Sequence, residues 1–233
     1  MVKFGDDISE NLHQQVFSFS HQLLKQSFNG INNVHPGYNS VLVTFDKDIY
    51  YDTVLDKVQQ FWSEFQEQKQ EKYNRVEIPV LYGAKYGPDL DRVCEYTGLS
   101  SGAVIKRHTA VNYLVYFIVF SPGFPYIGGM DETLATPRLD TPRKQVPLGS
   151  VGVANNQTGI YPIESPGGWN LIGRTPLPIF DINDPENSLV NIGDKLHFRS
   201  ISKVEFDRLR ANKIGNSYSW RWPADNGSRF GRD

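Results

Sequence analysis

Three arginines carry the chemistry that is most directly readable in this chain. Arg138 and Arg143 each close a Thr-Pro-Arg triplet, Thr136-Pro137-Arg138 and Thr141-Pro142-Arg143, five residues apart, and Arg174 follows Gly173. Proline fixes the backbone ahead of the first two, and a planar guanidinium grips a carboxylate or phosphate through paired hydrogen bonds. The expected ligand of these arginines is therefore an anion, with surface salt bridging as the plain alternative. Gln157, Thr158 and Tyr161 lie in one short block, Asn-Asn-Gln-Thr-Gly-Ile-Tyr-Pro. They offer neutral donors and acceptors that can orient an amide, although the same side chains would also staple a turn. His108, in Arg-His-Thr-Ala, is the candidate acid or base because an unperturbed imidazole titrates near physiological pH. Its alternative is a capping or surface histidine.

Other motifs fail on their own terms. Gly168 to Thr175, GWNLIGRT, nearly spells a phosphate-binding loop with Arg in place of Lys. Such a loop needs small residues whose backbone N–H groups converge on phosphate, and it must lead into a helix. Trp169, Leu171 and Ile172 fill the spacer, and Pro176 and Pro178 oppose a helix, so a buried strand ending at an arginine is expected. The sequence contains no HExxH, and its histidines, His13, His21, His35, His108 and His197, have no clustered metal-ligand spacing, so no metal site is expected. Gly149-Ser150-Val151-Gly152 has the wrong offset for a nucleophile elbow.

The segment that must position the arginines, residues 121–180, holds nine glycines and nine prolines among recurring aromatics. That density implies a tightly specified loop framework rather than a polar linker. Together with the apolar run YLVYFIVF from Tyr113, it predicts an all-β second domain. Ahead of it, GPDLDRVCEYTGLSSGAVIKRHTA reads as two short helices with Asp89 and Ser100 or Ser101 as caps, Gly98 as a stop and Cys94 as a small core residue. The N-terminal region reads as strand VKFG, an amphipathic helix over 8–27 capped by Ser9, strands at 30–34 and 39–45 around His-Pro-Gly-Tyr-Asn, a helix over 52–68 and a strand at 75–81. That βαββαβ order predicts a ferredoxin-like domain. The fold class is thus α+β, with residues 1–80 as the ferredoxin-like domain, 81–222 as the β domain and 223–233 as a disordered tail.

Lys and Arg total 24 against 26 Asp and Glu. Without a run of like charge, neither nucleic acid nor an anionic membrane is an expected partner. No apolar stretch approaches the roughly 20 residues of a membrane span, and the acidic N-terminus does not read as a signal peptide. With one cysteine, Cys94, the chain reads as cytoplasmic.

The order of several blocks is more specific than any of these features. FGDDIS, HPGYNSVLVTFD, IPVLYGAKYGPDLDRVCEYTGLS, GFPYIGG, TPR, VPLGSVGVANNQTGIYP, SPGGWNLIGRT and NIGDKLHFRSISKVEF together resemble the family of 5-oxoprolinase B subunits and Kip-type histidine-kinase inhibitors. That family also takes in one half of the carboxyltransferase domain of urea carboxylase (allophanate hydrolase subunit 1-like). The resemblance implies a cyclophilin-like barrel for the second domain and a role in ATP-dependent opening of 5-oxoproline to glutamate. It implies A and C subunits as partners, ATP in the assembled complex, and inactivity of this chain alone. Its signature blocks point to Gln157, Tyr161, Gly167, Gly168 and Trp169 as site residues, beside Gly123, Phe124 and Tyr126. The family also allows an inhibitor that binds a sensor histidine kinase, or a carboxyltransferase half of a biotin-dependent enzyme. Met1 and Met130 lie in no Met-Lys-Met, so biotin attachment to this chain is not expected. Prolyl isomerase activity would rest on fold analogy alone. One departure stands out: Val119, in YFIVFSPGF, replaces the glycine of the family's usual pattern and would crowd the pocket beside Gly123 and Phe124.

Overall fold

Ser9 starts the first helix as expected. In the computed structural model its hydroxyl accepts a hydrogen bond from the Leu12 N–H at 3.2 Å. Helix α1 (Glu10–Lys25) has Glu10 in its first turn and Lys25 in its last, matching the helix dipole. The structure describes residues 1–7, 9–26, 28–68, 74–118, 123–181, 184 and 188–212. The expectations placed on Ile8, Val119 and the tail lie outside the described residues. The chain divides into two compact units, Met1–Tyr73 and Asn74–Asp233.

In the first unit, β1 (Val2–Lys3), β2 (Ile31–Pro36) and β3 (Ser40–Phe45) form an antiparallel sheet in the order β1-β3-β2. The predicted turn at His-Pro-Gly-Tyr-Asn is closed by a 2.8 Å bond from the Gly37 N–H to the Ser40 carbonyl. Helix α1 buries Val16, Phe19 and Leu23, and α2 (Tyr51–Glu64) buries Val54, Val58 and Phe61. Phe19 is the hub of this core, with ring centroids 5.1 to 5.5 Å from Phe4, Phe61, Trp62 and Phe65. Helix α2 ends at Glu64 rather than near Gln68. Phe65 turns extended, and side chains of α1 take up the backbone that follows. Ser18 Oγ accepts from the Gln68 N–H at 2.9 Å, and Gln22 Nε2 donates to the Gln66 carbonyl at 3.1 Å. These tertiary bonds replace helical ones at an end where backbone groups are unpaired anyway.

The strand expected to complete a βαββαβ unit does not do so. β4 (Arg75–Tyr82) belongs to the second unit, where it runs parallel to β12 (Lys195–Ser200) in continuous register from Arg75↔Lys195 to Val80↔Ser200. Val76, Ile78 and Val80 are 1%, 0% and 0% exposed. A strand so deeply buried needs cover on both faces, which a closed barrel supplies and the edge of a small sheet does not. The N-terminal sheet therefore has three described strands, and the ferredoxin-like pattern is not completed.

The second unit is a closed seven-stranded barrel, in the order β11-β4-β12-β5-β6-β9-β8 with β8 closing on β11. Its further strands are β5 (Asn112–Ile118), β6 (Pro125–Gly128), β8 (Ser150–Ala154), β9 (Gln157–Ile160) and β11 (Asn170–Arg174). A ribbon of β7 (Arg143–Val146) and β10 (Ser165–Gly167) stands apart from it. Closure removes exposed strand edges. Tyr113, Val115, Ile127, Val151, Ile160, Ile172, Leu196 and Phe198 join β4 in one buried cluster. Each such side chain contributes about 1.5–3 kcal/mol by burial. The two expected helices are α3 (Leu90–Thr97), stopped by Gly98 at φ 71°, and α4 (Ser101–Thr109), whose Ala103 N–H is capped by Ser100 Oγ at 3.3 Å. Cys94 packs partly buried against the barrel core. A last helix, α5 (Lys203–Asn212), buries Phe206 and Leu209.

Candidate functional site

The Gly/Pro-rich segment folds into strands and turns that gather four aromatic residues. Phe124 stands edge-on to Tyr161 at 5.3 Å and to Trp169 at 5.6 Å, and tilts against Tyr126 at 5.3 Å. Val146, Ala154 and Leu171 complete this cluster. Such ring pairs contribute about 0.5–1.5 kcal/mol each beyond area burial. Gly167 is required here: a Cβ at that position would lie 2.2 Å from the Tyr161 hydroxyl oxygen. Gly123 has φ 79°, and Phe180 fills the space its side chain would take. Gly168 makes its contribution through its carbonyl, which accepts the Leu139 N–H at 2.8 Å.

That last bond ties the loop bearing both Thr-Pro-Arg triplets to the aromatic cluster. Thr136 and Asn155 exchange backbone hydrogen bonds of 3.1 and 2.6 Å. Asn170, fully buried, donates from Nδ2 to the Pro137 carbonyl at 2.9 Å and to the Val153 carbonyl at 3.0 Å. Arg92 of α3 reaches the same Pro137 carbonyl at 3.2 Å and also donates to Asn170 Oδ1. On this anchored loop, Arg138 is exposed and its guanidinium carbon lies 6.0 Å from the Trp169 ring centroid. Arg143 donates from Nη2 to Asp89 Oδ1 at 2.6 Å, while its Nη1 is buried without a hydrogen-bond partner.

Asp89 holds the helix-capping position but does not cap. Its Oδ2 accepts the Leu171 N–H at 2.7 Å, and its own N–H donates to the Leu171 carbonyl at 2.9 Å. The carboxylate thus bridges the barrel strand β11 to Arg143, and this use outweighs a cap because it neutralises a half-buried cation. Burial raises the pKa of the Tyr161 hydroxyl, and the Trp169 N–H with the charges of Arg138 and Arg143 pulls it partly back. Tyr161 therefore stays protonated at neutral pH, in the field of both arginines. Gln157 opens β9 half-buried, paired with Ala154.

The structure brings together Arg138, Arg143, Phe124, Tyr126, Tyr161, Gly167, Gly168 and Trp169, and sets His108 and Arg174 in other surroundings. His108 is fully buried, its Nδ1 2.8 Å from the Tyr82 hydroxyl and its Nε2 2.9 Å from Thr158 Oγ1. Burial pushes its pKa down to about 3. The acid–base reading is not retained, because the imidazole is neutral, committed to two internal hydrogen bonds and closed to solvent. Thr158, expected beside an amide ligand, is the partner of that histidine and also donates to the Gly152 carbonyl at 3.1 Å. Arg174 donates from Nε to the Leu148 carbonyl at 2.7 Å and lines a different cleft. Asp89, Arg92 and Asn170 are the residues that sequence reasoning passes over in a site role. The acidic and basic residues of Asp-Leu-Asp-Arg at 89–92 are a faint signal, but their partners lie 45 to 82 residues away. Among the described residues no group of three His, Cys, Asp or Glu could hold a metal ion.

Comparisons with known proteins fall on this architecture. The 5-oxoprolinase B subunit of Bacillus subtilis is 37% identical over 217 residues, 88% of this chain and 90% of that protein. The corresponding B subunit of Escherichia coli O157:H7 is 42% identical over 165 residues, 70% of this chain and 75% of that protein. The crystal structure of TTHA0988 matches 86% of this chain with a TM-score of 0.74 and 32% identity, and the match spans 39% of that longer chain. The family described as carboxyltransferase domain, subdomain C and D, matches residues 1–190, and this chain belongs to it.

Proposed function

We propose that this chain is the B subunit of an ATP-dependent 5-oxoprolinase, in which it contributes part of a shared site for opening the lactam of 5-oxoproline to glutamate. The observation that carries the reading is the 37% identity to a 5-oxoprolinase B subunit across 88% of this chain and 90% of that protein. The geometry is compatible with the chemistry. The substrate carries a carboxylate, and Arg138 with the unpaired Nη1 of Arg143 offers guanidinium donors for an anion on a loop that is already anchored. Asp89 positions Arg143. Trp169 offers an apolar ring face beneath Arg138, and Gln157 a neutral amide. Tyr161 acts from behind: its buried ring and hydroxyl set the backbone of Gly167 to Trp169.

A lactam is resonance-stabilised, so phosphorylating its oxygen makes the carbon electrophilic and supplies a leaving group. Gly168 to Thr175 does not fit the nucleotide for this step, because Asn170 to Arg174 lie in the ladders of β11 with β4 and β8 and Trp169, Leu171 and Ile172 fill the spacer. On this reading nucleotide binding rests on residues elsewhere in a cytoplasmic complex with A and C subunits, and the chain alone is inactive.

The test is 5-oxoproline-dependent release of ADP and glutamate by the chain alone, with each candidate partner and with both. Activity confined to the full mixture is expected. A verified three-part complex with no activity overturns the proposal.

A further inference from the structure

The end of β11 and helix α5 border a cleft of about 420 Å³ that the site above does not use. Its lining combines Leu148, Thr175, Pro176, Leu177 and Phe206 with two cations, Arg174 and Arg210. Arg174 is anchored through Nε on the Leu148 carbonyl at 2.7 Å, which leaves its terminal nitrogens for another acceptor. Arg210 is exposed near the end of α5. Neither arginine takes part in an ion pair among the described residues. Burial and, next, the charge of Arg210 lower the pKa of Arg174, so the two guanidiniums feel each other. Glu164 also acts on Arg174, but its carboxylate accepts a hydrogen bond from Gln145. Two like charges converging on one cleft repel, and an oxyanion between them would relieve that cost. The cleft volume is that of a small-molecule site, and its walls are largely apolar.

We infer that this cleft is a second binding site, for a small molecule carrying an oxyanion on an apolar body, with Arg174 and Arg210 on the oxyanion and Pro176, Leu177 and Phe206 against the body. It is separate from the Arg138–Arg143 loop and does not depend on the proposed activity.

Isothermal titration of the full chain alone with ADP, 5-oxoproline and inorganic phosphate at matched ionic strength tests it. ADP or 5-oxoproline binds, and inorganic phosphate binds at least tenfold more weakly because it lacks the apolar body. Arg210→Gln, at an exposed position, weakens the organic ligand about tenfold or more, as loss of one charge-assisted contact should, whereas Arg208→Gln, exposed on the same helix but outside the cleft lining, leaves that affinity unchanged. Absence of binding by both organic probes overturns the inference. So does affinity unchanged in Arg210→Gln, or phosphate binding as tightly as the organic ligand. The measurement reads binding to the isolated chain, so its failure is distinct from failure of the three-part activity assay.

Discussion

Arg143 meets Asp89 through one terminal nitrogen and leaves the other without a partner. A lysine at this position would keep a charge for Asp89 but lose the planar fork. Arg143→Lys is therefore expected to change the melting temperature little while lowering 5-oxoproline use by the assembled complex about tenfold or more. A large drop in melting temperature would make Arg143 a purely structural residue. His108 makes a different prediction. Its folded pKa, about 3, lies below the ordinary 6.5. The unfolded chain thus takes up a proton that the folded one refuses, and the stabilisation is complete above pH 6.5 and is lost progressively as pH falls toward 3. Between pH 6.5 and pH 5 the linked loss is about 2 kcal/mol. Urea midpoints at the two pH values should differ less in His108→Gln than in the wild type, and an equal difference would refute the assignment. The sequence marks His108 only as a residue with a useful pKa. Tyr82 and Thr158, 26 and 50 residues away, decide that it is not free to use it.

At the scale of elements, local signals are legible where local chemistry sets the outcome. Ser9, Ser100 and Gly98 sit at the helix ends assigned to them, because capping depends on groups within a turn. Ser9→Ala should cost the first unit about 1 kcal/mol, measurable as a lower denaturation midpoint by helical circular dichroism; an unchanged midpoint would mean solvent serves the Leu12 N–H equally well. Asp89 shows where the local rule gives way. Its carboxylate is drawn from the helix end to Arg143 and the Leu171 N–H, since a charged partner outcompetes a backbone amide. The near-match to a phosphate loop at Gly168 to Thr175 reads as a strand ending at an arginine, and its Asn170 to Arg174 form one, because bulky apolar residues and two following prolines are local facts. Arg174, at the end of that strand, cannot be placed the same way. Grouping it with Arg138 and Arg143 assumes that residues of one type near each other in sequence share a site.

For the whole molecule, the decisive strand is β4. Its register with β12 pairs Arg75 with Lys195 and Val80 with Ser200, and it also meets β11. Removing it would open the barrel and expose Val76, Ile78 and Val80. A fragment beginning at Asn74 should therefore melt cooperatively with native near-ultraviolet circular dichroism, whereas one beginning at Leu81, after most of β4, should not. Equal behaviour of the two fragments would show that β4 is dispensable to the barrel.

Composition, block order and periodicity by themselves determined the α+β class, most helices and strands, the β-rich second half and the family, because these depend on residue type and short-range spacing. The aromatic and arginine cluster was legible in part for the same reason: its members lie within residues 124–169. Only the tertiary structure decided which sheet receives β4, that Asp89 bridges Arg143 to β11, and that His108 and Arg174 stand apart from the site. Each of those outcomes is a pairing across tens of residues. Burial and charge neutralisation choose the partner, and periodicity carries no record of that choice.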